Sequence, residues 1–348
     1  MSGLDGPLGP SERDDLLRSW IGPGTPYRGA VLAVSGGPDS TALMGCAALA
    51  RAAIPLLVAT VDHGLRPGSR GEAEGVAVLA AAFGLPHRIL SWTGPKPAAR
   101  LQAAARAERY RLLAGLAGEV GADLLLTAHT LDDQAETVLM RLCAGSGPAG
   151  LAGMAPVRRL GAPASGRVTL GRPFLGMPKA RLVATCEAQG WPFVRDPSNA
   201  DSRFGRARLR RLLPLLAEEG LSAERLARLA GRLRRDEAAL AQAAEAAFRD
   251  LRRPDPAGEG RLVLDGAGLA ALSEAVALRV AGLGLETVGG DGPALRLERL
   301  ERILLGEVLP ALRAGVRCRR TVAGLLLTAQ GGRLVLEPEP PRRRPPAG

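Results

Sequence analysis

Apolar and polar positions change period along this chain in a regular way. The run Ala30-Val31-Leu32-Ala33-Val34 is continuous and short, as in a strand buried on both faces. A turn, Ser35-Gly36-Gly37-Pro38-Asp39-Ser40, separates it from an Ala/Leu-rich helical stretch over Thr41–Arg51. Pro55–Val61 predicts a second strand that ends at Asp62-His63-Gly64-Leu65-Arg66. A helix over Gly71–Phe83, a strand over His87–Trp92 and a long helix over Ala98–Leu116 follow, the last carrying Arg100, Arg106, Arg109 and Arg111. Asp123–Ala128 predicts a fourth strand, and a helix begins near Thr130. Strands alternating with helices at this spacing predict an α/β fold, a doubly wound parallel sheet with right-handed crossovers.

Beyond Leu142 the pattern loosens. A glycine-rich segment at Gly145–Leu151 precedes Arg158–Arg167, which has no periodicity and is expected to be a mobile loop. A helix over Pro178–Gln189 and a last strand and turn over Trp191–Asn199 are predicted. Arg203, Arg206, Arg208, Arg210 and Arg211 then crowd together, suited to phosphate yet equally readable as a solvated face. From Ser222 the chain predicts an amphipathic helix. Its apolar stripe is Leu226, Leu229, Leu233 and Leu240, and a separate basic stripe is Arg225, Arg228, Arg232 and Arg235. A smaller α+β module closes the chain, with helices near Gly268–Leu283 and Pro293–Leu305. A hairpin joins Val322–Thr328 to Arg333–Leu336 through Gly331-Gly332. Three parts are expected: residues 1–216, residues 217–337, and a Pro/Arg-rich disordered tail at 338–348.

Two stretches carry chemistry. At 35–40, a strand, a glycine turn and a helix leave backbone N–H groups at a helix N-terminus, where the dipole favours an anion. Ser35 and Ser40 add hydroxyls, and Asp39 makes sense beside Mg²⁺ on a pyrophosphate. No lysine of the usual phosphate loop is present. The plain alternative is a tight strand–helix turn. The second stretch is His129-Thr130-Leu131-Asp132-Asp133-Gln134-Ala135-Glu136-Thr137, which clusters a histidine and three acids on the first turns of a helix. One such acid is ordinary helix capping; three beside a strand end exceed what capping needs.

Composition narrows the partners. The 348 residues carry a net charge of +11, almost entirely from arginine, since lysine stands only at Lys96 and Lys179. That balance favours a polyanion such as RNA, although an arginine-rich genome produces part of it. Cys46, Cys143, Cys186 and Cys318 are far apart in sequence, which argues for reduced, buried thiols and against a zinc or iron–sulfur ligand set. No signal-peptide pattern opens the chain and no apolar run approaches a bilayer span, so a cytoplasmic protein with no membrane partner is expected.

The ordered motifs SGGPDS, VDHGLRPGS, AHTLDDQAETVLMRL, GSGPAGLAGM and DPSN with the arginines after it resemble the ATP-pyrophosphatase (PP-loop) family, in its bacterial tRNA(Ile)-lysidine synthetase branch, over about Gly29–Leu216. The resemblance implies an adenine-nucleotide α-hydrolase-like fold. It also implies a ligase that uses ATP and Mg²⁺ to adenylate C2 of the wobble cytidine in a tRNA(Ile) with a CAU anticodon, and then joins free L-lysine there. By motif match, Ser35, Gly36, Gly37, Pro38, Asp39 and Ser40 would hold pyrophosphate, with Asp39 at the metal. Asp62, His63 and Arg66 would line the ATP site, and Asp132, Asp133 and Glu136 would receive lysine. Arg109, His129 and Arg206 would stabilise charge at the adenylated intermediate. Beyond the reach of these motifs, the basic stripe Arg225, Arg228, Arg232 and Arg235 is expected from its own spacing to follow the tRNA backbone. The family often shows a second histidine where Thr130 stands, and an asparagine where Ala207 stands. Oligomeric state stays open, a homodimer included. Two other readings are a 2-thiocytidine synthetase-like enzyme, which calls for paired cysteines, and a non-catalytic adenine-nucleotide-binding module.

Overall fold

The computed structural model describes residues 6–65, 68–97, 99, 101–160, 168–195, 205–255, 260–289 and 297–339, with backbone alone at 205–207. The elements run α1 (Pro10–Ile21), β1 (Ala30–Ala33), α2 (Pro38–Leu49), β2 (Leu56–Asp62), α3 (Ser69–Ala82), β3 (His87–Ser91), α4 (Leu101–Glu119), β4 (Leu124–Thr127) and α5 (Leu131–Cys143). Next come α6 (Pro148–Leu151), β5 (Val157–Leu160), β6 (Val168–Gly171), α7 (Lys179–Ala188), α8 (Gly205–Glu218) and α9 (Ala223–Leu251). The remainder is β7 (Arg252–Arg253), β8 (Leu262–Asp265), α10 (Gly266–Ala271), α11 (Glu274–Gly289), α12 (Leu297–Ile303), a π-helical turn (Leu304–Val308), α13 (Leu309–Ala314), β9 (Cys318–Val322), β10 (Leu325–Gln330) and β11 (Arg333–Pro338).

Two compact units emerge, one of residues 1–144 and 153–230, the other of 145–152 and 231–348. In the first, six strands lie in the order β3-β2-β1-β4-β6-β5, parallel except for the antiparallel edge pair β5–β6. Alternation along each strand feeds two cores. Ala30, Leu32, Val58, Leu124 and Leu126 pack with α1, α2, α3 and α7, whereas Val31, Ala59, Leu125 and Leu170 pack against Leu113, Leu116 and Ala117 of α4. Each leucine so buried contributes about 1.5–3 kcal/mol, before the entropy of ordering it. The chain leaves β1 toward β2 on one side and returns to β4 on the other. That places a switch point between the carboxyl ends of β1 and β4, where open α/β sheets bind ligands. The doubly wound expectation therefore holds.

In the second unit β7-β8-β11-β10-β9 form an antiparallel sheet, and Ala277, Val280, Leu300, Ile303 and Leu304 cover one face of it.

Several expectations change. Residues 158–160 belong to β5, paired with β6 in Arg158↔Leu170 register, because an edge strand needs no apolar run of its own; residues 161–167 lie outside the described set. Residues 191–195 form no strand; Val194 N–H instead donates to Gly36 O at 2.8 Å. The predicted strand Val322–Thr328 divides into β9 and β10 at a tight turn where Ala323 has φ 52° and Gly324 φ 81°. β7 and β8 went unpredicted. Leu229, placed on the apolar stripe of α9, is 43% exposed, while Leu226 and Ala230 carry that burial. Cys46 and Cys186 are buried, but Cys143 is exposed. Most of the tail, 340–348, lies outside the described residues.

Candidate active site

The loop after β1 is held by its own backbone. Gly36 adopts φ +84°, and a Cβ there would sit 3.2 Å from Val76 Cγ2. Gly37 caps α2 without a side chain, leaving the first turn open to an anion. Ser40 Oγ accepts from Ser35 N–H at 3.1 Å and donates to Gly37 O at 3.0 Å, while Ser35 Oγ lies 3.3 Å from it. Asp39, on this first turn, has Oδ2 2.7 Å from Lys179 Nζ, and its buried Oδ1 has no partner. Burial pushes the Asp39 carboxyl up; Lys179 opposes that, and the charges of Asp133 and Asp132 push the same way as burial. The loop acid and the α5 acids therefore share one electrostatic neighbourhood.

At the end of β4, α5 begins with a complete capping box. Asp133 Oδ2 accepts from Thr130 N–H at 2.9 Å and from Thr130 Oγ1 at 3.2 Å, and Thr130 Oγ1 accepts from Asp133 N–H at 3.3 Å. Thr130 thus has a cap to make. Asp132 Oδ2 accepts from Lys179 N–H at 2.7 Å and caps α7, which Pro178 cannot cap with its own side chain. Glu136 is 1% exposed and Arg210 Nε donates to its Oε1 at 2.7 Å, which raises the arginine pKa further.

His129 Nδ1 lies 2.9 Å from Thr127 Oγ1, whose hydroxyl donates to Gly171 O at 3.4 Å. A hydroxyl has one proton, so it accepts from Nδ1–H and leaves Nε2 as an acceptor. Burial first, then Arg109, Arg172 and Arg106, drive the His129 pKa down to about 3 against the pull of Asp133. His129 is therefore uncharged near neutrality. Arg106 and Arg109 each hold a guanidinium carbon 5.2 Å from the Tyr110 ring centre.

At the end of β2, Asp62 Oδ1 accepts from Gly64 N–H at 2.9 Å and Ser69 Oγ at 2.7 Å, hydrogen bonds that lower its pKa and fix the entry to α3. His63 meets Trp92 edge-on at 6.0 Å, with its buried Nδ1 unpartnered, and Lys96 Nζ lies 5.7 Å over the Trp92 ring. Both lysines of the chain therefore stand at the carboxyl edge of this sheet.

The structure brings together residues 35–40, His129, Asp132 and Asp133 at the switch point, with Glu136 one turn along α5. Arg66 lies outside the described residues, as does the side chain of Arg206. Arg225, Arg228, Arg232 and Arg235 are all exposed on α9. Sequence reasoning singled out Arg210 only within the arginine run suited to phosphate, not as the partner of Glu136, and it missed Lys179, Arg172 and Tyr110. Only Lys179 had a signal: it is one of two lysines in a chain that otherwise uses arginine.

A parallel sheet with this loop at its switch point defines a PP-loop nucleotide-binding domain, and residues 15–216 match the family model described as a PP-loop domain, ATP_bind_3. The solved U34-tRNA thiolase NcsA from Methanococcus maripaludis, with its 4Fe-4S cluster, shares the fold at a TM-score of 0.53 and 18% identity, over 64% of this chain and 78% of that one. At full length the chain belongs to the tRNA(Ile)-lysidine synthase family. The relative so named from Methylobacterium sp. (strain 4-46) is 65% identical over 99% of this chain and 98% of its own length. That from Methylobacterium nodulans is 64% identical over 96% and 98%, and that from Rhodopseudomonas palustris 48% over 90% and 91%.

Proposed function

We propose that the protein uses ATP to join free L-lysine to C2 of the wobble cytidine in a tRNA(Ile) with a CAU anticodon, giving lysidine and changing the codon read from AUG to AUA. One observation carries this reading beyond family membership. The phosphate loop and the acid-bearing start of α5 flank one switch point, close enough for Asp39 to feel Asp132 and Asp133.

The chemistry must make a carbonyl oxygen leave. In the first step the C2 oxygen attacks the α-phosphorus of ATP and the bond to pyrophosphate breaks. The open first turn of α2, with Ser35, Gly36, Gly37 and Ser40, receives the departing pyrophosphate. Lys179, already on Asp39, adds a compact mobile cation beside it. The buried, unpartnered Asp39 Oδ1 suits a Mg²⁺ ion whose shell the phosphates complete, and that ion would neutralise their charge. Asp62 and His63 line the adenosine side.

In the second step the ε-amine of lysine attacks C2, the bond to AMP breaks, and the amine loses a proton. Asp132 and Asp133 each use one oxygen on backbone N–H groups, and their second oxygens make no hydrogen bond among the described residues. Those oxygens are offered to the cationic groups of lysine. Glu136 joins them by exchanging Arg210 for an ammonium. With His129 uncharged, stabilisation of the intermediate falls to Arg109, and His129 serves as a neutral hydrogen-bonding group.

The thiocytidine alternative lacks support in the cysteines, since burial pushes both Cys46 and Cys186 up to about 12. A non-catalytic module gives no reason to set three acids beside the loop. No helix among the described residues is long and apolar enough to cross a membrane; the cytoplasm, where tRNA, ATP and lysine meet, is the proposed location, and gel filtration would reveal a homodimer. The test is mass analysis of nucleosides from CAU-anticodon tRNA incubated with protein, ATP and lysine. Lysidine is expected; its absence, with active protein shown by ATP binding, would overturn the reading.

A further inference from the structure

The carboxyl edge of the first unit's sheet holds buried cations that no carboxylate balances. Arg172, immediately after β6, is 4% exposed; one Nη donates to Ala155 O, and its Nε has no partner. Arg109 Nε and the Tyr110 hydroxyl are also buried, neither in a hydrogen bond of good geometry. The phenol's polar neighbours are the guanidiniums of Arg109 and Arg172, which hydrogen-bond it loosely at most. The guanidiniums of Arg106 and Arg109 lie 5.2 Å from the Tyr110 ring centre. None of the three arginines makes an ion pair among the described residues. Burial pushes the Tyr110 phenol up, yet Arg109, Arg106 and Arg172 outweigh it and hold the phenol below its ordinary value. Desolvated guanidinium groups without a counter-charge are costly, and a planar fork matches the oxygens of phosphate.

We propose that Arg172, Arg106 and Tyr110, together with Arg109, form a seat for a phosphate group of the polynucleotide substrate, next to His129. This rests on the reading of the substrate as tRNA. Position separates the seat from the pyrophosphate. The loop opens into α2 on one face of the sheet, whereas Arg106, Arg109 and Tyr110 stand on α4, which packs on the other face. Arg172 leaves β6, two strands from β1, or about 10 Å at ordinary strand spacing. A cytidine brought to His129 from that side carries its flanking backbone phosphate toward Arg172 and Tyr110. ATP is the other source of the same chemistry, and the experiment separates the two.

Two variants serve, Arg172→Lys, which keeps the charge and loses the fork, and Arg106→Gln on the partly exposed face of α4, each checked for an unchanged melting curve. Dissociation constants are measured for tRNA without ATP and for ATP without tRNA, the former over a salt series. Loss of a charge-assisted bond in a desolvated site predicts a fall in tRNA affinity of about tenfold or more. For Arg106→Gln the logarithmic salt slope should become shallower by about 0.7–0.9. ATP affinity should stay within twofold.

A third readout needs no activity. The chain has two tyrosines, so in a Tyr27→Phe background ultraviolet titration reports Tyr110 alone. Inorganic phosphate should raise that titration midpoint. Unchanged tRNA affinity and slope in both folded variants would overturn the seat. Lost ATP affinity with intact tRNA binding would overturn its assignment to the polynucleotide. A phenol indifferent to phosphate would overturn the anion site itself. Should wild-type protein make no lysidine while the variants still lose RNA binding, the substrate reading falls and the seat stands.

Discussion

Asp39 has two carboxylate oxygens in different circumstances, one on Lys179 at 2.7 Å and one buried without a partner. Replacing it with alanine removes a charged group from the first turn of α2 rather than core volume, so the fold should survive while tRNA-dependent pyrophosphate release is lost. Turnover within a few-fold of wild type would remove Asp39 from the metal and phosphate site. Asp133 separates the two steps. Asn at this position keeps an acceptor for Thr130 N–H and retains the cap, but loses the charge. A charge-assisted bond lost in a desolvated site costs about 1.5–3 kcal/mol, so the lysine requirement should rise by one to two orders of magnitude. Labelled AMP should still appear on the tRNA. Loss of adduct and lysidine together at every lysine concentration would move Asp133 to the ATP site.

At the scale of elements, α2 packs against the segment after α7 at one glycine. A Cβ on Gly45 would meet Trp191 Cη2 at 2.5 Å, and Trp191 is itself wedged edge-on against Phe83 at 5.6 Å. In an exposed helix Gly→Ala gains about 1 kcal/mol. Here overpacking should reverse the sign, and Gly45→Ala should destabilise by about 1–3 kcal/mol in denaturant unfolding. An unchanged midpoint would mean that the ring yields. The helix α9 is tested through its exposed arginines. Reversing Arg225 and Arg228 should make the salt slope of tRNA binding shallower by about 0.7–0.9 per lost phosphate contact and leave ATP binding alone. An unaltered slope would leave the stripe a solvated face.

For the whole molecule, His129 predicts how stability depends on pH. Its folded pKa is about 3 against an ordinary 6.5. Between those values the unfolded chain binds a proton that the folded chain refuses. The site's contribution is therefore complete above pH 6.5 and drains away as pH falls, by up to about 1.4 kcal/mol per unit. Asp39, raised by burial, runs the opposite way at lower pH and blunts the trend. Denaturant unfolding from pH 7 to 5 should show the loss, and His129→Gln should make it shallower, leaving the part that His63 and His87, both lowered by burial, contribute with the same sign. Equal slopes for both proteins would refute the assignment.

The local units of this protein were legible in its sequence for local reasons. Apolar period distinguishes β1 from α2, the glycines mark the turn between them, and Thr130 with Asp133 closes a cap across three residues. Chain chirality then sends each crossover the same way and leaves the loop and α5 at one switch point. Edge strands such as β5 escaped because their pairing, not their own composition, makes them strands. The site's partners escaped for a related reason. Asp132 finds the Lys179 backbone 47 residues away, Glu136 finds Arg210 at 74, and Asp39 finds the Lys179 ammonium at 140. Such pairs exist only after the sheet has closed, so tertiary structure alone decided which acids are engaged and which buried arginines wait for an anion.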